Sequence, residues 1–149
     1  MIKKTIIDII SISLILLFGY AAASKLNEHE QFILQIGQVI KIRQAPEILS
    51  WFVPGTEFLT CLLLIIPKHR RKGLYLSFGL MLSFTCYIAF FLAYHTHLPC
   101  RCGGILNSMG WNTHLKFNIV FTALAAIGIV LDRTANKENA DIKSSIAGI

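Results

Sequence analysis

The stretch Gly73-Leu-Tyr-Leu-Ser-Phe-Gly-Leu-Met-Leu-Ser-Phe-Thr-Cys-Tyr-Ile-Ala-Phe-Phe-Leu-Ala-Tyr94 decides the fold, because its 22 residues include no Asp, Glu, Lys or Arg. As a helix it would rise about 33 Å at about 1.5 Å per residue, against a bilayer core of about 30 Å. Backbone groups in lipid must pair within their own segment, so an uncharged run of this length reads as a membrane-spanning helix.

Three further segments qualify on the same grounds. Ile48–Ile66 carries Pro54 and Glu57, Ile6–Ala23 carries Asp8, and His114–Leu131 stops at Asp132-Arg133. Across the 149 residues 54% are hydrophobic and only 15% charged, well under the roughly 25% charged of a soluble domain. That composition excludes a disordered chain and argues against a water-soluble enzyme. The net charge of +6 does not point to nucleic acid, since the Lys and Arg residues cluster beside the apolar runs as topology signals. The expected fold is therefore an all-α membrane protein, a four-helix transmembrane bundle over residues 1–133 in a lipid bilayer. A polar, mobile cytoplasmic tail is expected over residues 134–149.

The loops orient the spans. Lys3, Lys4, Lys68, Arg70, Arg71, Lys72, Arg133, Lys137 and Lys143 fall on one side, nine cations against five on the other, namely Lys25, Lys41, Arg43, Arg101 and Lys116. The positive-inside rule makes the first side cytoplasmic, with both termini. In a bacterium this is a multi-pass protein of the inner (cytoplasmic) membrane, with Lys25–Glu47 and His95–Thr113 in the periplasm. Lys3-Lys4 followed by an apolar stretch and Ala21-Ala22-Ala23 also fits a secretory signal peptide. Within the first outer segment, Phe32, Ile33, Ile36, Val39 and Ile40 recur at helical spacing, which predicts an amphipathic interfacial helix closed by Pro46.

Chemistry concentrates in His95-Thr-His-Leu-Pro-Cys-Arg-Cys-Gly-Gly104, on the disulfide-permissive side. A Cys100–Cys102 disulfide would close a very small, strained ring, and strained disulfides are the labile, oxidising ones. Arg101 between the sulfurs favours thiolate, the attacking form. The same segment also reads as a zinc or copper site of His95, His97, Cys100 and Cys102, or as a purely structural staple. Inside the membrane Glu57 demands a polar partner, because ionisable groups there are costly. Glu57, His114 and Asn118, the last two one turn apart, are candidates to line a pocket for a quinone head or a proton path. The alternative is that they only fix helix packing. Cys61 and Cys86 read as small apolar packing residues.

One family carries these features together. Ala23-Ser-Lys25, Glu30 with Phe32, Trp51-Phe-Val-Pro54 with Glu57, and Pro67-Lys-His-Arg-Arg71 before Gly73-Leu-Tyr occur in order. Pro99-Cys-Arg-Cys-Gly-Gly-Ile105, then Gly110-Trp111, His114 and Phe117-Asn118, complete the pattern. Over Ile6 to Leu131 the chain resembles the MauE/DoxX-like redox-associated membrane proteins, in the methylamine utilisation protein MauE branch. The resemblance implies a four-helix membrane bundle tied to disulfide formation or maturation of periplasmic proteins. The implied partner is a periplasmic thioredoxin-like protein or a disulfide-rich client. The expected activity is that of a thiol–disulfide oxidoreductase component, with Cys100, Arg101 and Cys102 catalytic. Membrane metal handling and a non-catalytic assembly role stand as alternatives.

Overall fold

The computed structural model describes residues 2–39, 45–94 and 110–147. Among them it holds five helices: α1 Ile2–Asn27, α2 His29–Val39, α3 Ala45–Ile65, α4 Arg70–Tyr94 and α5 Trp111–Ala147. Four of them, α1, α3, α4 and α5, are long and apolar enough to cross a membrane. The expected all-α, four-span architecture holds.

Each spanning helix buries a stripe spaced three, four or seven residues apart. On α1 it includes Ile7, Ser11, Leu14, Phe18, Ala22 and Lys25; on α3 it is Ser50, Pro54, Glu57, Cys61 and Leu64. Leu74, Ser77, Met81 and Ile88 continue the pattern on α4, and His114, Asn118 and Ala125 on α5. Such spacing keeps one narrow seam of each helix facing its neighbours, as in coiled-coil-like bundles. The helices pack in a ring, α1 on α3, α3 on α4, α4 on α5 and α5 on α1, with α2 laid against α3. Ring neighbours are antiparallel, which follows from Cys61 meeting Ile15, Leu64 meeting Gly73 and Thr85 meeting Thr122.

The rest of each helix faces outward. Only 22–33% of each spanning window is buried, and Leu16, Phe52, Phe58, Phe90, Val120 and Val130 are all exposed. A water-soluble protein rarely exposes so much contiguous apolar surface, whereas a bilayer covers it without penalty. Gly73 lets α4 start tightly against the end of α3: a Cβ there would stand 2.9 Å from the Leu64 backbone nitrogen.

Up-and-down topology brings the start of α1, the α3–α4 turn and the second half of α5 to one end, the basic end. Arg70 pairs with Asp8 there, Arg71 Nε lies 3.1 Å from Asp132 Oδ2, and the Arg133 guanidinium sits 5.5 Å from the Tyr75 ring. Asp8 and Asp132 are thus both neutralised at that end. At the opposite end, which we call the loop end, α1 finishes, α4 finishes and α5 begins.

Two expectations change. The last span does not stop at Asp132-Arg133, and the segment expected to be mobile is helical to Ala147. No Pro or Gly interrupts residues 134–147, Thr134 Oγ1 donates to the Val130 carbonyl at 2.9 Å, and Asn136 reaches Asp132 at 3.1 Å. Cys86 is exposed on α4 instead of packing inside, while Cys61 is buried as expected.

Candidate functional site

The polar groups of the membrane interior gather toward the loop end. Glu57 is completely buried on α3, three residues beyond Pro54, and α3 runs unbroken through that proline. Its partner is Lys25 of α1, whose Nζ donates to Glu57 Oε1 at 2.7 Å. Both side chains are desolvated, with 9% and 1% of their surface exposed. Helical side chains lean toward the N-terminus of their own helix. In this antiparallel pair Lys25 therefore leans down into the bundle and Glu57 leans up to meet it. The ammonium also lies 5.6 Å from the Phe84 ring of α4 and 5.9 Å from the Phe32 ring of α2, the distances of cation–π contacts.

Glu57 Oε2 is buried and has no hydrogen-bond partner among the described residues. His114 and Asn118 are both buried on α5 at 6% exposure, one turn apart on its inner face. His114 is close enough to Lys25 to interact with its charge. Cys61, one turn along α3 from Glu57, places Sγ 3.5 Å from the Ile15 carbonyl.

Below this layer the seam is apolar: Ile10, Leu14, Leu64, Leu74 and Ala125 fill it toward the basic end. The hydroxyls there serve their own helices, Ser11 donating to Ile7, Ser77 to Gly73 and Thr60 to Thr56. Their protons are thus engaged within their own helices.

Of the residues singled out from sequence, Glu57, His114 and Asn118 all belong to this buried polar layer. Cys100, Arg101, Cys102, His95 and His97 lie outside the described residues. Lys25 was missed as a site residue. It was counted as an outer topology charge, and burial in the bundle corrects that reading. The signal was present, since Lys25 falls seven residues after Phe18 and three after Ala22, on the buried register of α1. Among the described residues no group of three or more His, Cys, Asp or Glu gathers as a metal site would.

An antiparallel ring of four apolar helices around a buried ion pair defines a multi-pass helical membrane protein with a polar interior site. The chain belongs to the methylamine utilisation protein MauE family, whose model matches residues 3–131. No curated protein and no solved structure matches it.

Proposed function

We propose that the chain is an integral membrane thiol–disulfide redox component that supports disulfide formation or maturation of proteins outside the cytoplasmic membrane. The observation that carries this reading is the buried layer of Lys25, Glu57, His114 and Asn118, which sits at the bundle end where the Cys100–Cys102 segment is tethered. Cys100 follows Tyr94 by six residues and Cys102 precedes Gly110 by eight, so the covalent chain keeps both sulfurs near that end. At about 3.3–3.6 Å per residue, neither can travel more than about 30 Å from its helix.

In this reading a thiolate of a thioredoxin-like partner or of a disulfide-rich client attacks the Cys100–Cys102 disulfide. The mixed disulfide resolves by attack of the partner's second thiol. The partner leaves oxidised, and Cys100 and Cys102 are left as the dithiol. Arg101 favours the thiolate of whichever sulfur departs. The residues of the polar layer suit a quinone head, which supplies two-electron, two-proton acceptance. Asn118, beside His114, brings N–H donors for its carbonyls, and the unpartnered Glu57 Oε2 is an acceptor for the hydroxyl of its reduced form. With Lys25 buried, nine cations on the basic side against four on the other make the basic end cytoplasmic in this reading, so that the cysteines face the oxidising compartment.

The test is thiol trapping of Cys100 and Cys102 in cells, with and without a chelator. A disulfide fraction that rises when the partner is absent supports the reading. Cysteines that stay reduced, and become reactive only when a chelator is added, would instead establish the metal site of His95, His97, Cys100 and Cys102.

A further inference from the structure

We propose that Glu57 is a proton-binding site, loaded at Oε2 and open to the loop end of the bundle alone, so that the membrane domain takes up and releases protons on one side. The inference does not depend on the redox reading of Cys100 and Cys102.

Three observations carry it. Oε1 of Glu57 is held by Lys25 at 2.7 Å, while Oε2 is buried with no donor among the described residues. A desolvated carboxylate oxygen without a donor is costly, and a proton on Oε2 removes that cost. Second, Asn118 and then His114, which is near enough to Lys25 to interact with its charge, are buried one turn apart along α5 toward its loop-end start, so buried polar groups continue in that direction. Third, in the other direction Ile10, Leu14, Leu64, Leu74 and Ala125 line the seam, and the buried hydroxyls among them, Ser11, Thr60 and Ser77, each donate their proton to a carbonyl of their own helix. Proton transfer needs hydrogen-bonding groups within reach of one another, and the apolar plug breaks any such chain.

The titratable groups around the carboxyl are Lys25 from α1 and Cys61 on α3 itself, and His114 from α5 lies near enough to Lys25 to interact with its charge. α4 contributes Phe84 and α2 contributes Phe32, neither of which titrates. The step is a simple equilibrium. A proton from water at the loop end adds to Oε2, the carboxylate becomes a neutral acid, and Lys25 keeps its charge beside two aromatic faces.

Infrared spectroscopy of the full-length protein, carrying isotope-labelled glutamate, tests the proposal in two arms. In the first, a buried glutamic-acid carboxyl band should appear and disappear reversibly between about pH 4 and about pH 10, apart from the bands of the other four glutamates, of which Glu30 and Glu47 are exposed. It should vanish in E57Q, and in K25Q it should titrate about one pH unit or more higher, because the carboxylate has lost its cation. The isotope shift makes the band readable in the unaltered chain, so the result stands even where a variant fails to fold. In the second arm, liposomes containing the protein should hold a pH gradient as long as protein-free liposomes. A carboxylate that stays ionised across the range would overturn the proton site. Proton leakage that E57Q abolishes would overturn the one-sided access.

Discussion

Replacing Lys25 by Met keeps the length of the side chain and removes its charge, leaving the Glu57 carboxylate buried without a counter-ion. Two unit charges 2.7 Å apart attract by about 6 kcal/mol at an effective dielectric near 20, before desolvation is set against it. Breaking a buried pair from one side costs about 3–5 kcal/mol, since the survivor keeps its desolvation penalty and loses its compensation. K25M should therefore shift the unfolding equilibrium by a factor of roughly a hundred to a few thousand. The double variant K25M/E57L removes both charges and should return to within about 1 kcal/mol of the parent. Reversible unfolding in mixed micelles, followed by circular dichroism, would give all four corners of the cycle. The Arg71–Asp132 pair supplies the control: Arg71 is 49% exposed, and R71Q should cost less than about 1 kcal/mol. A K25M protein as stable as R71Q would refute the desolvated pair and the argument built on it.

Three other perturbations test separate parts of the account. E57Q keeps size and hydrogen bonding but cannot titrate, so it should slow reoxidation of Cys100 and Cys102 about tenfold or more per molecule of folded protein, read by thiol trapping; normal reoxidation would leave Glu57 a packing residue. Single cysteines placed at Lys68 or Lys72 should be labelled from the cytoplasm only and H97C from outside only, and the reverse pattern would invert the topology. G73A should cost about 1–3 kcal/mol in the same unfolding assay, because its methyl group meets the Leu64 backbone at 2.9 Å. The matching change at Gly79, where a methyl group meets nothing within 4 Å, should cost far less.

The spans were legible because lipid makes strict demands on length and charge, and residues 73–94 satisfy them without ambiguity. Glu57 was legible for the same reason, as a carboxylate in a segment that should hold none. Its partner was harder to see. Near a helix end a lysine serves equally as a headgroup anchor and as a buried counter-ion, and only the inward lean of the α1 side chains selects the second. The end of α5 was misjudged because polarity was read as disorder. Residues 134–147 are polar, yet they lack a breaker and extend a helix already nucleated by the span, so elongation carries no new nucleation cost. His114 and Asn118 were found by their spacing, but that spacing alone does not reveal that His114 shares its surroundings with the Lys25 ammonium.

The ion pair also imposes an order on how the protein is made. Lys25 and Glu57 stand 32 positions apart, on helices that leave the ribosome one after the other. Until α3 has been synthesised, Lys25 has no carboxylate to meet and must wait among headgroups at the end of α1. Its descent into the interior is thus a late event in biogenesis, and it locks the first span, α1, to the second, α3, only when both are present. A nascent chain truncated before Glu57 should be cleared by membrane proteases faster than one released after Ile65, because only the longer chain can hide its lysine.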